Sequence, residues 1–246
     1  MKYFKCANHK IEFAFLDNSS LSFDNHNHIS IYAVGLILAG RVLLQKKNVE
    51  YEFTPDDLFI IPPYMVHSLV PGSKQYSIVT LCIGTEFLDT YNFKDGKVLL
   101  SDLAARLVCA GILIPLQVEA FSDALELVYS MYSKPDYGYS KIISETKDFI
   151  EAQPEDTITL DALSQKIFVS KYYLIRQFKK TIGLSPHRFQ IQNRIRKAQH
   201  LLQNGATVTE TALAMGFYDQ SHFIKYFKKI VGITPTEYMD SLEILD

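Results

Sequence analysis

The chain has no tryptophan, three cysteines among 246 residues and no long apolar run. Each shortage closes off a class of protein. Cys6, Cys82 and Cys109 have neither the paired spacing of a disulfide framework nor the clustered spacing of a zinc ligand set, which fits buried thiols in a reducing compartment. The longest apolar run, Leu107 to Leu116, falls well short of the ~20 residues that cross a bilayer. The first ten residues lack an apolar core of signal-peptide length. The expectation is a soluble cytoplasmic protein with no membrane partner. Charge of one sign is also scarce overall, at −2 net. Disorder is excluded by what is present, because 48% of residues are hydrophobic and 13% aromatic, and the length is enough for two domains.

The near-neutral total conceals a split. From Ala162 to Gly232 stand twelve Lys and Arg against Glu210 and Asp219 alone, a local net of +10, so the rest of the chain carries −12. Charge gathered in one segment is what phosphate binding needs, and the expected partner is double-stranded DNA.

Within that segment, Ala212 to Tyr238 reads as a short helix, a tight turn at Gly216, a second helix stopped by Gly232 and a restart at Pro235. Phe223 and Phe227, four apart, form the buried face. Gln220, Ser221, Ile224, Lys225 and Lys228 fall on other faces. This is a helix-turn-helix pattern, whose second helix suits the major groove. An earlier copy exists. Adding 49 carries Leu174 to Phe223, Phe178 to Phe227, Lys179 to Lys228, Gly183 to Gly232, Pro186 to Pro235 and Phe189 to Tyr238. Upstream the offset drops to 48, which sets Phe168 against Gly216 and makes the first turn unusual. Ser170 is the expected N-cap of the first reading helix. The expected spans are about 159–181 and 207–230 for the two motifs, and about 186–203 for a connecting helix bearing Arg188, Arg194, Arg196 and Lys197. About eighteen residues of helix reach roughly 27 Å, which makes feasible two reading helices one ~34 Å groove turn apart.

The first half reads as β. Ile29 to Leu44 is apolar with breaks at Gly35 and Gly40, Val49 to Phe53 alternates, Leu58 to Ile61 stops at Pro62, and Tyr76 to Ile83 ends at Gly84. A small sandwich or barrel follows from this spacing. Glu86 to Asp102 reads as connection with a short helix, and Leu103 to Gly111 and Val118 to Tyr132 as helices that pack on the barrel or pair with a second copy of the chain. Ser133 to Tyr139 has linker composition. The expected domains are 1–133, a linker at 134–139, and 140–246.

His26, His28 and His67 are the residues of the first half with chemistry to offer. Their layout resembles the cupin barrel, whose His-x-His pair and later histidine bind a metal together with a glutamate. Here the glutamate position is Ala33, and Asp56 and Tyr64 stand where the second cupin motif has glycines. Three readings remain open: histidines lining a ligand pocket together with Tyr32 and Tyr64, a three-histidine metal site, or structural histidines. No cofactor is expected, no catalytic residue is assigned, and the chain is not expected to be an enzyme.

The C-terminal hundred residues resemble the AraC/XylS family of transcription regulators. The resemblance rests on Leu163-Ser, Ser170, Leu174-x-Arg176-x-Phe178-Lys179, Gly183-x-Ser185-Pro186, Arg194-x-x-x-Ala198 and Leu201-Leu202, and on Ala212, Gly216-Phe217-x-Asp219-Gln220-Ser221-x-Phe223, Phe227-Lys228 and Gly232-x-Thr234-Pro235. It implies an α+β two-domain protein, with a cupin-like barrel and packed helices in front of an all-α domain holding two helix-turn-helix motifs. It implies base reading by Tyr172, Ile175 and Arg176 in the first motif and by Gln220, Ser221, Ile224 and Lys225 in the second. Lys171, Lys179 and Lys228 suit phosphates. The implied function is a DNA-binding activator, a homodimer controlled by a small-molecule effector in the barrel and acting on RNA polymerase. The alternatives are a barrel that only dimerises and, more remotely, a cupin metalloenzyme fused to a DNA-binding domain.

Overall fold

A computed structural model describes residues 1–6, 10–46, 49–132, 139–156 and 159–245. Nine strands come first: β1 (Lys2–Cys6), β2 (Ile11–Ser19), β3 (Phe23–His26), β4 (Ile31–Ala39), β5 (Val42–Lys46), β6 (Val49–Phe53), β7 (Leu58–Ile61), β8 (His67–Pro71) and β9 (Tyr76–Gly84). Three helices follow, α1 (Thr85–Thr90), α2 (Phe93–Cys109) and α3 (Pro115–Met131). The helical part comprises α4 (Lys141–Ala152), α5 (Leu160–Lys166), α6 (Lys171–Ile182), α7 (Pro186–Gln203), α8 (Val208–Ala214), α9 (Gln220–Val231) and α10 (Pro235–Asp240), and a last strand, β10 (Leu242–Leu245), closes the order. No helix among the described residues is long and apolar enough to cross a membrane.

The chain divides into two compact units, Met1–Pro135 with Ser241–Asp246, and Asp136–Asp240. The expected linker at 134–139 lies outside the described residues except for Tyr139. The last strand departs from the expected 140–246 domain. β10 belongs to the first unit and pairs in parallel with β1, Tyr3 opposite Leu242.

In the first unit a six-stranded sheet, ordered β10-β1-β2-β9-β4-β7, accompanies a four-stranded sheet, ordered β3-β8-β5-β6. Alternation along the central strands sends side chains to two cores. Tyr32, Val34 and Leu36 of β4 and Val79, Leu81 and Ile83 of β9 meet Leu100, Leu103 and Leu107 of α2 and Phe121, Leu125 and Val128 of α3. The opposite parity, Ala33 and Ile37 of β4 with Ile78 of β9, meets Val42, Leu44 and Leu69 of the smaller sheet.

Helix α2 starts ten residues before the expected one. Asn92 caps it, its side chain accepting from the Asp95 amide at 3.0 Å. Of the cysteines, Cys82 is half-buried and Cys109 exposed, so the expected burial does not hold for the latter.

In the second unit α7 is the axis. Eleven of its eighteen residues are buried, and it packs against α4, α6, α8, α9 and α10.

Candidate nucleic-acid interface and the barrel histidines

Both candidate reading helices, α6 and α9, are fixed at each end by their own sequence. Ser170 accepts from the Tyr173 amide at 3.3 Å and Asp219 from the His222 amide at 2.7 Å. Gly183 and Gly232 close α6 and α9 in the left-handed conformation, each amide returning to a lysine carbonyl at 2.9 Å. Leu174, Phe178, Phe223 and Phe227 are fully buried, as the spacing predicts. The repeat extends to ring geometry. Phe178 meets Phe189 edge-on at 5.4 Å and 68°, and the equivalent Phe227 meets Tyr238 at 5.5 Å and 63°.

With those faces buried, the other sides of α6 and α9 are presented outward. Tyr172, Arg176, Gln220, Ser221 and Lys225 are exposed, and Ile175 and Ile224 are half-buried. Lys179 and Lys228 are exposed. Lys171 is engaged by Asp161 at 3.2 Å, and Gln220 accepts from the Thr209 hydroxyl at 3.3 Å. Lys171, Tyr172 and Ile175 also line a groove of about 430 Å³ with Leu160, Pro186 and His187. Ile175 therefore has neighbours on its own unit, which explains an apolar side chain on an outward face.

Arg194 has a role that a count of charges does not reveal. It is 9% exposed and donates to four carbonyl oxygens: Nε to Pro154 at 2.6 Å, Nη1 to Gly216 at 2.7 Å, and Nη2 to Asp156 at 2.9 Å and Glu155 at 3.3 Å. The Phe217 ring covers the guanidinium at 5.8 Å. Burial lowers its pKa, with Glu155 and Asp156 pulling it back. Arg194 is thus a strut that ties the turn of the second motif to the segment between α4 and α5, and it is withdrawn from any phosphate. The signal was present in the sequence: Ile191, Arg194, Ile195 and Ala198 keep helical i, i+3, i+4, i+7 spacing, so Arg194 sits on the buried stripe of α7. Lys197 is likewise occupied, bonded to Glu155 at 2.6 Å, and this bond holds the Glu155 carboxyl below the usual range.

In the first unit the structure brings His26, His28 and His67 together. His26 and His67 are cross-strand partners on β3 and β8, with ring centroids 4.2 Å apart. His28 lies 5.1 Å from each. Tyr64, between β7 and β8, is tied to the segment between β3 and β4 that carries His28, its amide donating to the His28 carbonyl at 2.7 Å and its hydroxyl 3.3 Å from that of Ser30. Tyr32 does not join them. It is buried on the helix-facing side of β4, and burial raises its phenol pKa. Ala33, at the expected glutamate position, is buried in the core between the sheets.

Two family models match this chain: an AraC-like ligand binding domain over residues 8–132 and a helix-turn-helix domain over residues 163–241. The first matches half of the chain, and the chain belongs to the AraC family of helix-turn-helix transcription regulators. Among curated relatives, the uncharacterized regulator YbfI of Bacillus subtilis is 30% identical over 228 residues, covering 81% of each chain. The regulator MtrA of Neisseria gonorrhoeae is 37% identical over 87 residues, 35% of this chain and 29% of its own length. The activator RhaS of Escherichia coli is 33% identical over 90 residues, 36% of this chain and 32% of its own length. Among solved structures, ToxT of Vibrio cholerae aligns over 96% of this chain and 99% of its own, with a TM-score of 0.62 at 17% identity. That likeness shows the two-unit fold. ToxT has also been solved with an unsaturated fatty acid bound, aligning at a TM-score of 0.58 and 16% identity over 96% of this chain and 97% of its own.

Proposed function

We propose that this regulator is an effector-controlled activator in which α6 and α9 each read a major groove. The observation that carries the reading is the repeated exposure of polar and basic side chains on two helices whose opposite faces are buried and whose ends are capped alike. Arg176 has the fork that pairs with guanine O6 and N7, and Gln220 the amide that pairs with adenine N6 and N7. Ser221 and Lys225 add donors. Tyr172, Ile175 and Ile224 supply contact to thymine methyls. Lys171, Lys179 and Lys228 anchor phosphates and set register without specifying sequence.

The first unit supplies control. A small molecule held near His26, His28, Tyr64 and His67 shifts the population competent to bind DNA. The description of the matched family model as ligand-binding, and fatty acid binding by ToxT, support a barrel that takes an effector. A dimerisation role for the same unit is favoured by one further observation. Leu127 and Met131, four apart on α3, are exposed, as are Leu116 at the start of that helix and Val98 of α2. A homodimer acting on RNA polymerase in the cytoplasm completes the proposal.

The test starts from operator sequences selected from random DNA. Arg176→Ala is expected to lose roughly 1–3 kcal/mol of binding and to relax discrimination at one base pair. Lys228→Ala is expected to weaken every operator evenly and to reduce the slope of log affinity against log salt by about 1. Unchanged binding by the Arg176 variant at all operator variants would overturn the reading face.

A further inference from the structure

We propose that the turns of the two helix-turn-helix motifs carry DNA contacts of their own. Phe168 rests on a thymine methyl at the border of the major groove that α6 reads, and Tyr218 reaches a phosphate beside the groove that α9 reads. The inference rests on α6 and α9 as the reading helices. The two turns share one backbone plan. The Phe168 amide donates to the Gln165 carbonyl at 3.2 Å and the Val169 amide to that of Ser164 at 3.0 Å. Forty-eight residues later the Gly216 and Phe217 amides donate to the carbonyls of Leu213 and Ala212, each at 3.0 Å. Phe168 and Gly216 both take positive φ, +55° and +65°. An aromatic residue is strained there and a glycine is not.

The Phe168 ring does nothing within its unit to offset that strain. It is 94% exposed, while Leu163, Leu174 and Phe178 form the buried side of the same motif. In the second motif the turn is one residue longer, and the added residue is Tyr218, 91% exposed. Two turns of different length thus each set an exposed aromatic ring within two residues of the N-cap of a reading helix, Ser170 or Asp219. The N-terminal residues of a helix in the major groove are the ones that approach base edges, so residues just before the cap lie at the groove's border. Tyr172, exposed in the first turn of α6, adds aromatic surface close by along the chain. Chemistry divides the two roles. A phenyl ring has no polar atom and suits a thymine methyl. A phenol hydroxyl donates to a phosphate oxygen.

Operators selected from random DNA by the full chain serve as the probe. Phe168→Gly is expected to weaken binding roughly 5–10-fold, the worth of part of an aromatic ring withdrawn from water, while its denaturation midpoint stays at or above that of the wild type. These opposite signs separate a DNA contact from a folding role. A midpoint well below wild type would mean that the ring serves the fold, and it overturns the proposal. Phe168→Asn, a residue that tolerates the left-handed region, is expected to lose affinity to the same extent. Single thymines of the operator are then replaced by deoxyuridine, which lacks the 5-methyl group. At one position the wild type is expected to lose about 3–4-fold, as for one buried methyl, and Phe168→Gly to lose nothing further. A loss of affinity that no single thymine methyl accounts for overturns the contact. So does wild-type affinity in both Phe168 variants, even with transcription impaired, since the ring would then meet a protein. Tyr218→Phe is expected to weaken every operator about 3-fold with the salt slope unchanged, because an uncharged donor releases no counterion. Unchanged affinity removes Tyr218 from the interface. Arg176→Ala is measured alongside. If it weakens binding and the Phe168 variants do not, this inference fails and the reading face stands; if neither does, the reading face itself fails.

Discussion

The two helix-turn-helix motifs share a plan but differ in how each is held. In the second, Gly216 makes the turn at φ +65° with no room beside it. A Cβ there would lie 2.3 Å from the Glu155 carbonyl oxygen and 3.3 Å from Arg194 Nη2. In the first, Phe168 makes the equivalent turn at φ +55° with its side chain 94% exposed. The same left-handed backbone is therefore obligatory glycine in one motif and a strained aromatic in the other. The difference lies in what stands next to the turn. Arg194 and the 154–156 segment crowd the second turn, and the exposure of Phe168 shows how open the first one is. The helix starts differ in the same direction. Thr207 with Glu210 and Thr234 with Glu237 form reciprocal caps, the threonine hydroxyls and glutamate carboxylates exchanging bonds with the backbone at 2.7–3.2 Å. The first-motif counterparts, Thr159 with Ala162 and Ser185 with Arg188, supply the hydroxyl half alone. The second motif is thus the more heavily constrained, and the first carries the arginine proposed to read a base.

The largest effect that can break this contrast is at the strut. Arg194→Ala removes a donor from four carbonyl oxygens, of which those of Pro154 and Asp156 keep Gln190 Nε2 at 3.0 and 2.8 Å while those of Gly216 and Glu155 lose the guanidinium, and it is expected to cost about 3–5 kcal/mol in chemical denaturation. A loss under 1 kcal/mol would show that the second turn does not depend on it. Next comes Gly216→Ala, expected to cost more than ~2 kcal/mol because steric overlap adds to left-handed strain. Phe168→Gly at the matching turn is expected to gain roughly 0.5 kcal/mol, since relief of strain exceeds the greater freedom of glycine in the unfolded chain. Equal responses at the two turns would remove the distinction between them.

The smallest effect is that of pH. The Glu210 and Glu237 carboxyls are held below the usual range by bonds from Thr207 and Thr234, and that of Glu155 by Lys197. A carboxyl with a depressed folded-state pKa contributes stability that is present above its unfolded value, near 4.5, and is lost as pH falls through the folded value. On lowering the pH from about 6 to about 3.5, amide protection is expected to fall at the starts of α8 and α10 before those of α5 and α7, followed by hydrogen exchange. Simultaneous loss would show that the reciprocal caps contribute little.

Much of the second unit was legible because its rules are local. Ser170, Gly183, Gly216 and Gly232 mark helix ends within a few residues of themselves, and the 49-residue offset carried even the Phe178–Phe189 pairing onto Phe227–Tyr238. What was missed depends on distant partners. Helix α2 runs through Gly96, where a Cβ would lie 2.7 Å from the Tyr129 hydroxyl of α3, a fit that no local pattern announces. Tyr32 was placed with the histidines, yet the parity of β4 turns it toward α2 and α3, and that parity depends on which face the helices cover. His26, His28 and His67 were grouped through their resemblance to the cupin layout, and the pairing of β3 with β8 does bring them together.

The pairing of β10 with β1 bears on how the molecule tolerates cutting. A chain ended after Asp240 keeps every helix of the second unit but removes the strand that lies beside Tyr3 and Phe4. β1 would then become an open sheet border, its amides and carbonyls on that side available to any other extended peptide. The penalty for such a cut would fall on solubility, through strand-to-strand self-association, while the reading helices stayed whole.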